Sequence, residues 1–84
     1  MGKIDKLIEK ILLGSAVANI DFDDIRGVLL SLGFAERSKG SHHTFSKPGL
    51  EELINLQRDG SKAKPYQVRQ VRAIIQRNKL WSRE

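Results

Sequence analysis

The residues best equipped for chemistry lie in one stretch, Lys39-Gly40-Ser41-His42-His43-Thr44-Phe45. It holds both histidines of the chain, side by side, directly after a Gly-Ser pair. An imidazole, with an ordinary pKa of about 6.5, can take or give a proton near neutrality. Thr44 and Phe45 are β-formers, which places the histidines at the start of a strand. Side chains alternate faces along a strand. Phe45 is the large apolar residue and belongs to the core, so His43 shares its side. His42, Thr44 and Ser46 then share the opposite, open face. Gly40 permits close approach of backbone and ligand, and Ser41 adds a small donor. A solvent-facing imidazole beside such a turn is suited to proton transfer. Without a supporting setting, the same pair would only wet the surface or make a core hydrogen bond.

The setting is basic. Residues 1–32 carry four basic and five acidic side chains, whereas residues 33–84 carry eleven basic and five acidic ones. The positive balance belongs to the part that contains the histidines, and it points to a polyanion as ligand. An acidic protein partner would satisfy the same charge. The 84 residues make one small domain with a modest core. No apolar run approaches the ~20 residues of a membrane span. Lys6, Glu9 and Lys10 interrupt the N-terminal apolar residues, unlike a secretory signal. The absence of cysteine removes disulfides and thiolate catalysis and fits a cytoplasmic location. Adjacent histidines on a strand point to opposite faces and no third soft ligand is near, so neither a metal nor another cofactor is expected.

The elements that must position the stretch follow from periodicity. Ile4, Leu7, Ile8, Ile11 and Leu12 form one face of an amphipathic helix ending near Gly14-Ser15, and 16–20 reads as a linker. Asp21 is an expected N-cap for a second helix, with Asp23 and Asp24 in its first turn. Phe22, Ile25, Val28, Leu29 and Leu32 face its core side, and Gly33 ends it. Strands are expected over 34–37, 42–47 and 53–57, with turns at 38–41 and at Pro48-Gly49. Such a meander is covered by helices on one face and open on the other. A basic loop, Gly60 to Lys64, leads into a last helix that Pro65 can begin. Val68, Val71, Ile74 and Ile75 form the buried stripe of that helix, while Arg69, Arg72, Gln76 and Lys79 lie close to one polar face. Lys62 and Lys64 at its N-terminus make phosphate contact a competitor to simple solvation. Leu80 and Trp81 are expected to cap the core or a partner surface. The fold class is α+β, with residues 1–20 a helical extension and 21–84 the domain.

The order α, then β-β-β-α, over 22–80 is that of a double-stranded-RNA-binding domain. Within it, Leu32-Gly33-Phe34, the Lys39–Phe45 stretch, the third strand and Lys64-Pro65-Tyr66-Gln67-Val68-Arg69 resemble the HicA family. These are small toxins of bacterial HicA–HicB toxin–antitoxin pairs. The resemblance implies a ribosome-independent mRNA interferase on a double-stranded-RNA-binding-like fold, silenced by a HicB-type antitoxin. The family's catalytic histidine, directly after Gly-Ser, falls on His42, and its motif glycine on Gly40. The helix at 4–13 is additional to the family's usual start. Many members carry His-Gly after the third strand, where this chain has Arg58-Asp59-Gly60.

The expected chemistry is metal-independent RNA cleavage. His42 acts as general base on a ribose 2′-OH or as acid to the leaving 5′-oxygen. One histidine does not comfortably do both at once, so a second group, Lys39 or water, is needed. Arg37, Lys39 and the Lys62/Lys64 loop are expected to meet developing phosphorane charge. Gly40, Ser41, Arg69 and Arg72 complete the expected RNA-binding set. A binding module without chemistry, recognising duplex RNA by shape, is the alternative. A protein-interaction domain whose basic face serves an acidic partner is compatible with the toxin reading.

Overall fold

The computed structural model describes residues 2–13 and 20–81. Helices α1 (Lys3–Leu13) and α2 (Phe22–Ser31) precede strands β1 (Ala35–Lys39), β2 (His42–Ser46) and β3 (Ile54–Gln57), and helix α3 (Pro65–Arg77) follows. The strands form an antiparallel sheet in the order β1-β2-β3. The class is therefore α+β, with the order α-β-β-β-α after the first helix. The expected linker falls outside the described residues except for Ile20, which is buried.

The alternation expected of β2 is present. His43 and Phe45 are buried against the helices, and His42 and Ser46 are exposed. Ile54 and Leu56 of β3 complete the inner face of the sheet. They meet Phe22, Ile25, Val28 and Leu29 of α2 and Val68, Val71, Ile74 and Ile75 of α3 in one apolar core. Helix α1 joins the same core. Ile8 and Ile11 are each 1% exposed, and the indole N–H of Trp81 donates to the Asp5 carboxylate at 3.2 Å. Burying two isoleucines contributes several kcal/mol, roughly 2 per side chain, which is why the N-terminal stripe is held against α2 and α3. Leu80 and Trp81 pack on this core, partly buried.

Two local expectations are refined. Asp21 is the N-cap of α2, as expected, with extended backbone angles, but its side chain makes no cap hydrogen bond. Its carboxylate takes the Lys62 ammonium at 2.8 Å instead, beside a bridge between Asp21 and Lys62 that seats the basic loop. The β1–β2 turn is also tighter than 38–41. It consists of Gly40 and Ser41 alone, with Gly40 at φ +61°, so Ser38 and Lys39 belong to β1. A glycine at the first central position of a two-residue loop lets the turn follow the twist of the strands. Gly33 ends α2 at φ +98°, the role expected of it.

Candidate functional site

The hairpin register fixes which side chains sit beside His42. Lys39 pairs with His42 and Arg37 with Thr44 across β1 and β2. His42 pairs with Gln57 and Thr44 with Asn55 across β2 and β3. Directly opposed residues on neighbouring strands point to the same face. The open face therefore carries two cross-strand rows, Lys39–His42–Gln57 and Arg37–Thr44–Asn55. The inner face carries Ser38–His43–Leu56 and Glu36–Phe45–Ile54.

Two shallow depressions flank His42 on the open face. The first is lined by Arg37, Lys39, Gly40, His42 and Thr44. The structure thus brings together the imidazole, two of the expected cations and the turn glycine. Arg37 and Lys39 are exposed and make no ion pair among the described residues. The second depression, on the β3 side, is lined by His42, Thr44, Asn55, Gln57 and Tyr66, and also by His43 and Leu56, whose side chains belong to the inner face. Neither Tyr66 nor the two amides were expected there from the sequence. The amides follow from the β2–β3 register, which the Gly40-Ser41 turn does not set. Tyr66 comes from α3, and no sequence period links that helix to β2.

The other expected RNA contacts are placed differently. Ser41 sits in the turn, where its carbonyl accepts the Arg58 backbone N–H at 2.8 Å, and it lines neither depression. Lys62 is paired with Asp21, and Lys64 with Asp59 at 3.0 Å. The Asp59 carboxylate raises the Lys64 ammonium pKa above its ordinary value. These pairs are half exposed and easily exchanged for phosphate, since surface ion pairs contribute only ~0–1 kcal/mol. Arg69 and Arg72 lie on α3 opposite its buried stripe and line neither depression at His42.

Beneath His42, His43 has a different environment. It is 8% exposed, its Nδ1 lies 2.6 Å from Glu36 Oε2, and its ring meets Phe22 edge-on with centroids 5.1 Å apart. Arg26 donates to both Glu36 oxygens, each at 2.8 Å. The Arg26 hydrogen bonds, opposed by partial burial and aided by His43, hold the Glu36 carboxyl down at about 2. An ionised Glu36 can only accept, so the His43 Nδ1 carries the proton and donates. The Arg58 guanidinium also lies over the Phe22 ring, 4.6 Å from its centroid, and pairs with Asp23. The arrangement ties α2, β1, β2 and the end of β3 into one support under the open face.

No protein-family model, curated protein or solved structure matches the chain. Among the described residues no three His, Cys, Asp or Glu side chains converge as metal ligands, and no helix is long and apolar enough to cross a membrane. The side chains on the open face include an accessible imidazole, two cations without an anionic partner among the described residues, and neutral amides. Such a set can bind a phosphodiester and move a proton at it.

Proposed function

We propose that the chain is an endoribonuclease that cuts RNA without a metal ion, with His42 as the proton-transfer group. The observation that carries this reading is the first depression, whose lining brings the exposed His42 together with Arg37 and Lys39. In the reaction, a ribose 2′-oxygen attacks the adjacent phosphorus and the bond to the 5′-oxygen breaks. The products are a 2′,3′-cyclic phosphate and a free 5′-hydroxyl. His42 removes the 2′-hydroxyl proton or supplies one to the 5′-oxygen, and water or Lys39 completes the other transfer. Arg37 and Lys39 are aligned along one strand beside the imidazole, where they meet charge building on the phosphorane.

The α-β-β-β-α order supports a double-stranded-RNA-binding-like fold, and the Gly-Ser-His turn supports the likeness to HicA toxins. On that reading the cellular substrate is mRNA, and a HicB-type antitoxin silences the toxin by covering the basic face.

The test compares wild type with His42→Ala on RNA in EDTA. Loss of cleavage in the variant, with chain-end analysis showing cyclic phosphate, is expected. Equal cleavage by both proteins refutes the role of His42. Tight duplex binding with no cleavage by either replaces the nuclease reading with that of a binding module.

A further inference from the structure

The open face is chemically divided. Along each cross-strand row a cation on β1 gives way to a β2 residue and then to an amide on β3, Lys39–His42–Gln57 and Arg37–Thr44–Asn55. Neighbouring strands are about 4.8 Å apart, so the cationic and amide edges lie about 10 Å from each other with His42 between them. Cations suit phosphate, whereas neutral amides, with two donors and an acceptor each, suit the edges of nucleobases.

Tyr66 borders the amide edge. It is the chain's only tyrosine and is 53% exposed, while Phe22, Phe34 and Phe45 are all buried. Its position is fixed by its neighbour. The buried Gln67 side chain accepts the Lys64 backbone N–H at 3.1 Å and donates to the Gln57 carbonyl at 2.9 Å. The first turn of α3 is thereby clamped to the residue that pairs with His42. At the same edge, the Asn55 side-chain Oδ1 accepts from the Thr44 hydroxyl at 3.1 Å, which leaves the Asn55 NH₂ to a ligand. The Gln57 side chain makes no hydrogen bond among the described residues.

We propose that Tyr66, Asn55 and Gln57 form a nucleobase subsite for single-stranded RNA, in which an unpaired base next to the phosphate at His42 stacks on the Tyr66 ring and meets the two amides. The subsite rests on the RNA-cleaving reading of the same face and gives its substrate class. A base in a duplex is already stacked and paired, so the ring selects against duplex RNA.

The test uses a short single-stranded oligonucleotide of 2′-O-methyl ribose, which lacks the attacking hydroxyl, and its duplex. Binding is followed by fluorescence anisotropy in EDTA. Tyr66→Ala should weaken single-strand binding roughly 5- to 150-fold, the span of base–aromatic stacking. Tyr66→Phe keeps the ring and should bind within about twofold of wild type. The duplex should respond little to either variant. Circular dichroism melts check the fold of each variant, and unchanged midpoints are expected for these exposed substitutions. The subsite is refuted if Tyr66→Ala binds like wild type, if Tyr66→Phe loses as much as Tyr66→Ala, or if single strand and duplex weaken alike. Should the wild type bind neither form, the RNA reading falls and the subsite with it. Should Tyr66 behave as expected while His42→Ala still cleaves, the subsite stands and the catalytic assignment fails.

Discussion

Replacing Glu36 by Gln tests the support beneath the site. The Glu36 side chain is 13% exposed, receives two Arg26 hydrogen bonds and one from His43, and is held at about 2 against an ordinary 4.5. At about 1.4 kcal/mol per decade, that depression corresponds to about 3 kcal/mol of folding stability at neutral pH, and about 2–3 after allowing for the partly exposed Arg26. A carboxyl with a lowered folded pKa stabilises fully above its unfolded value and ceases to do so as pH falls through the folded one. The contribution should therefore fade between about pH 4.5 and 2, leaving about 1 kcal/mol or less at pH 2.5. Asp23 also shares Arg26, and the Arg58 and Arg26 hydrogen bonds lower its pKa, but it is present in both proteins and largely cancels in the difference. Urea unfolding followed by far-ultraviolet circular dichroism should show Glu36→Gln less stable by about 2–3 kcal/mol at pH 7, equivalent to roughly 10–20 °C in Tm for a domain this small. A difference below about 0.5 kcal/mol at pH 7 would refute the support role. So would a difference of the same size at pH 7 and pH 2.5.

The adjacent histidines should separate cleanly in the same assay. His42→Ala should change stability by no more than about 0.5 kcal/mol, as for an exposed side chain, whereas His43→Ala should cost about 2–4 kcal/mol by opening a cavity beside Phe22 and stripping a hydrogen bond from Glu36. Ile8→Ala should cost about 2–4 kcal/mol at neutral pH if α1 belongs to the core, and an effect below about 0.5 would show that it does not. For single-stranded RNA, Arg37→Gln and Lys39→Gln should each reduce the slope of log affinity against log salt by about 0.7, measured by anisotropy titrations across a salt series. Unchanged slopes would remove both side chains from phosphate contact.

How much of this was legible in the sequence depended on whether a period or a distant contact carried the information. The stripe from Ile4 to Leu12 and the run Val68, Val71, Ile74 and Ile75 repeat at helical spacing, so both helices and their buried faces could be read directly. The opposite fates of His42 and His43 follow from strand alternation, with Phe45 as the anchor. The Glu36–Arg26 pair was not legible, because it joins different elements through side-chain geometry that no local pattern encodes. A hint was available nonetheless. A histidine assigned to the core requires a polar partner, and Glu36 is the acidic residue of the strand beside it. Asp21 shows the converse failure. Its type suits an N-cap, but its carboxylate is occupied by Lys62, forty-one positions away in sequence, and local propensity cannot foresee that competition.

The adjacency of the histidines makes the site depend on sheet register. A one-residue slip of β2 would exchange its faces, putting His42 toward Glu36 and His43 into solvent. It would also expose Phe45, which is 0% exposed in the folded chain, and bury Ser46 or Thr44 in its place. Loss of the phenylalanine burial alone costs about 2–3 kcal/mol. The Glu36 pair adds its own penalty, because the carboxylate would face a displaced ring while still held by Arg26. Register is thus fixed mainly by side chains on the inner face, none of which is on the solvent face with His42. That separation leaves the open face free to carry Lys39, Arg37, Asn55 and Gln57, none of which the core packing requires. Substitutions on this face should therefore alter binding with little effect on folding, whereas inner-face substitutions should impair both together.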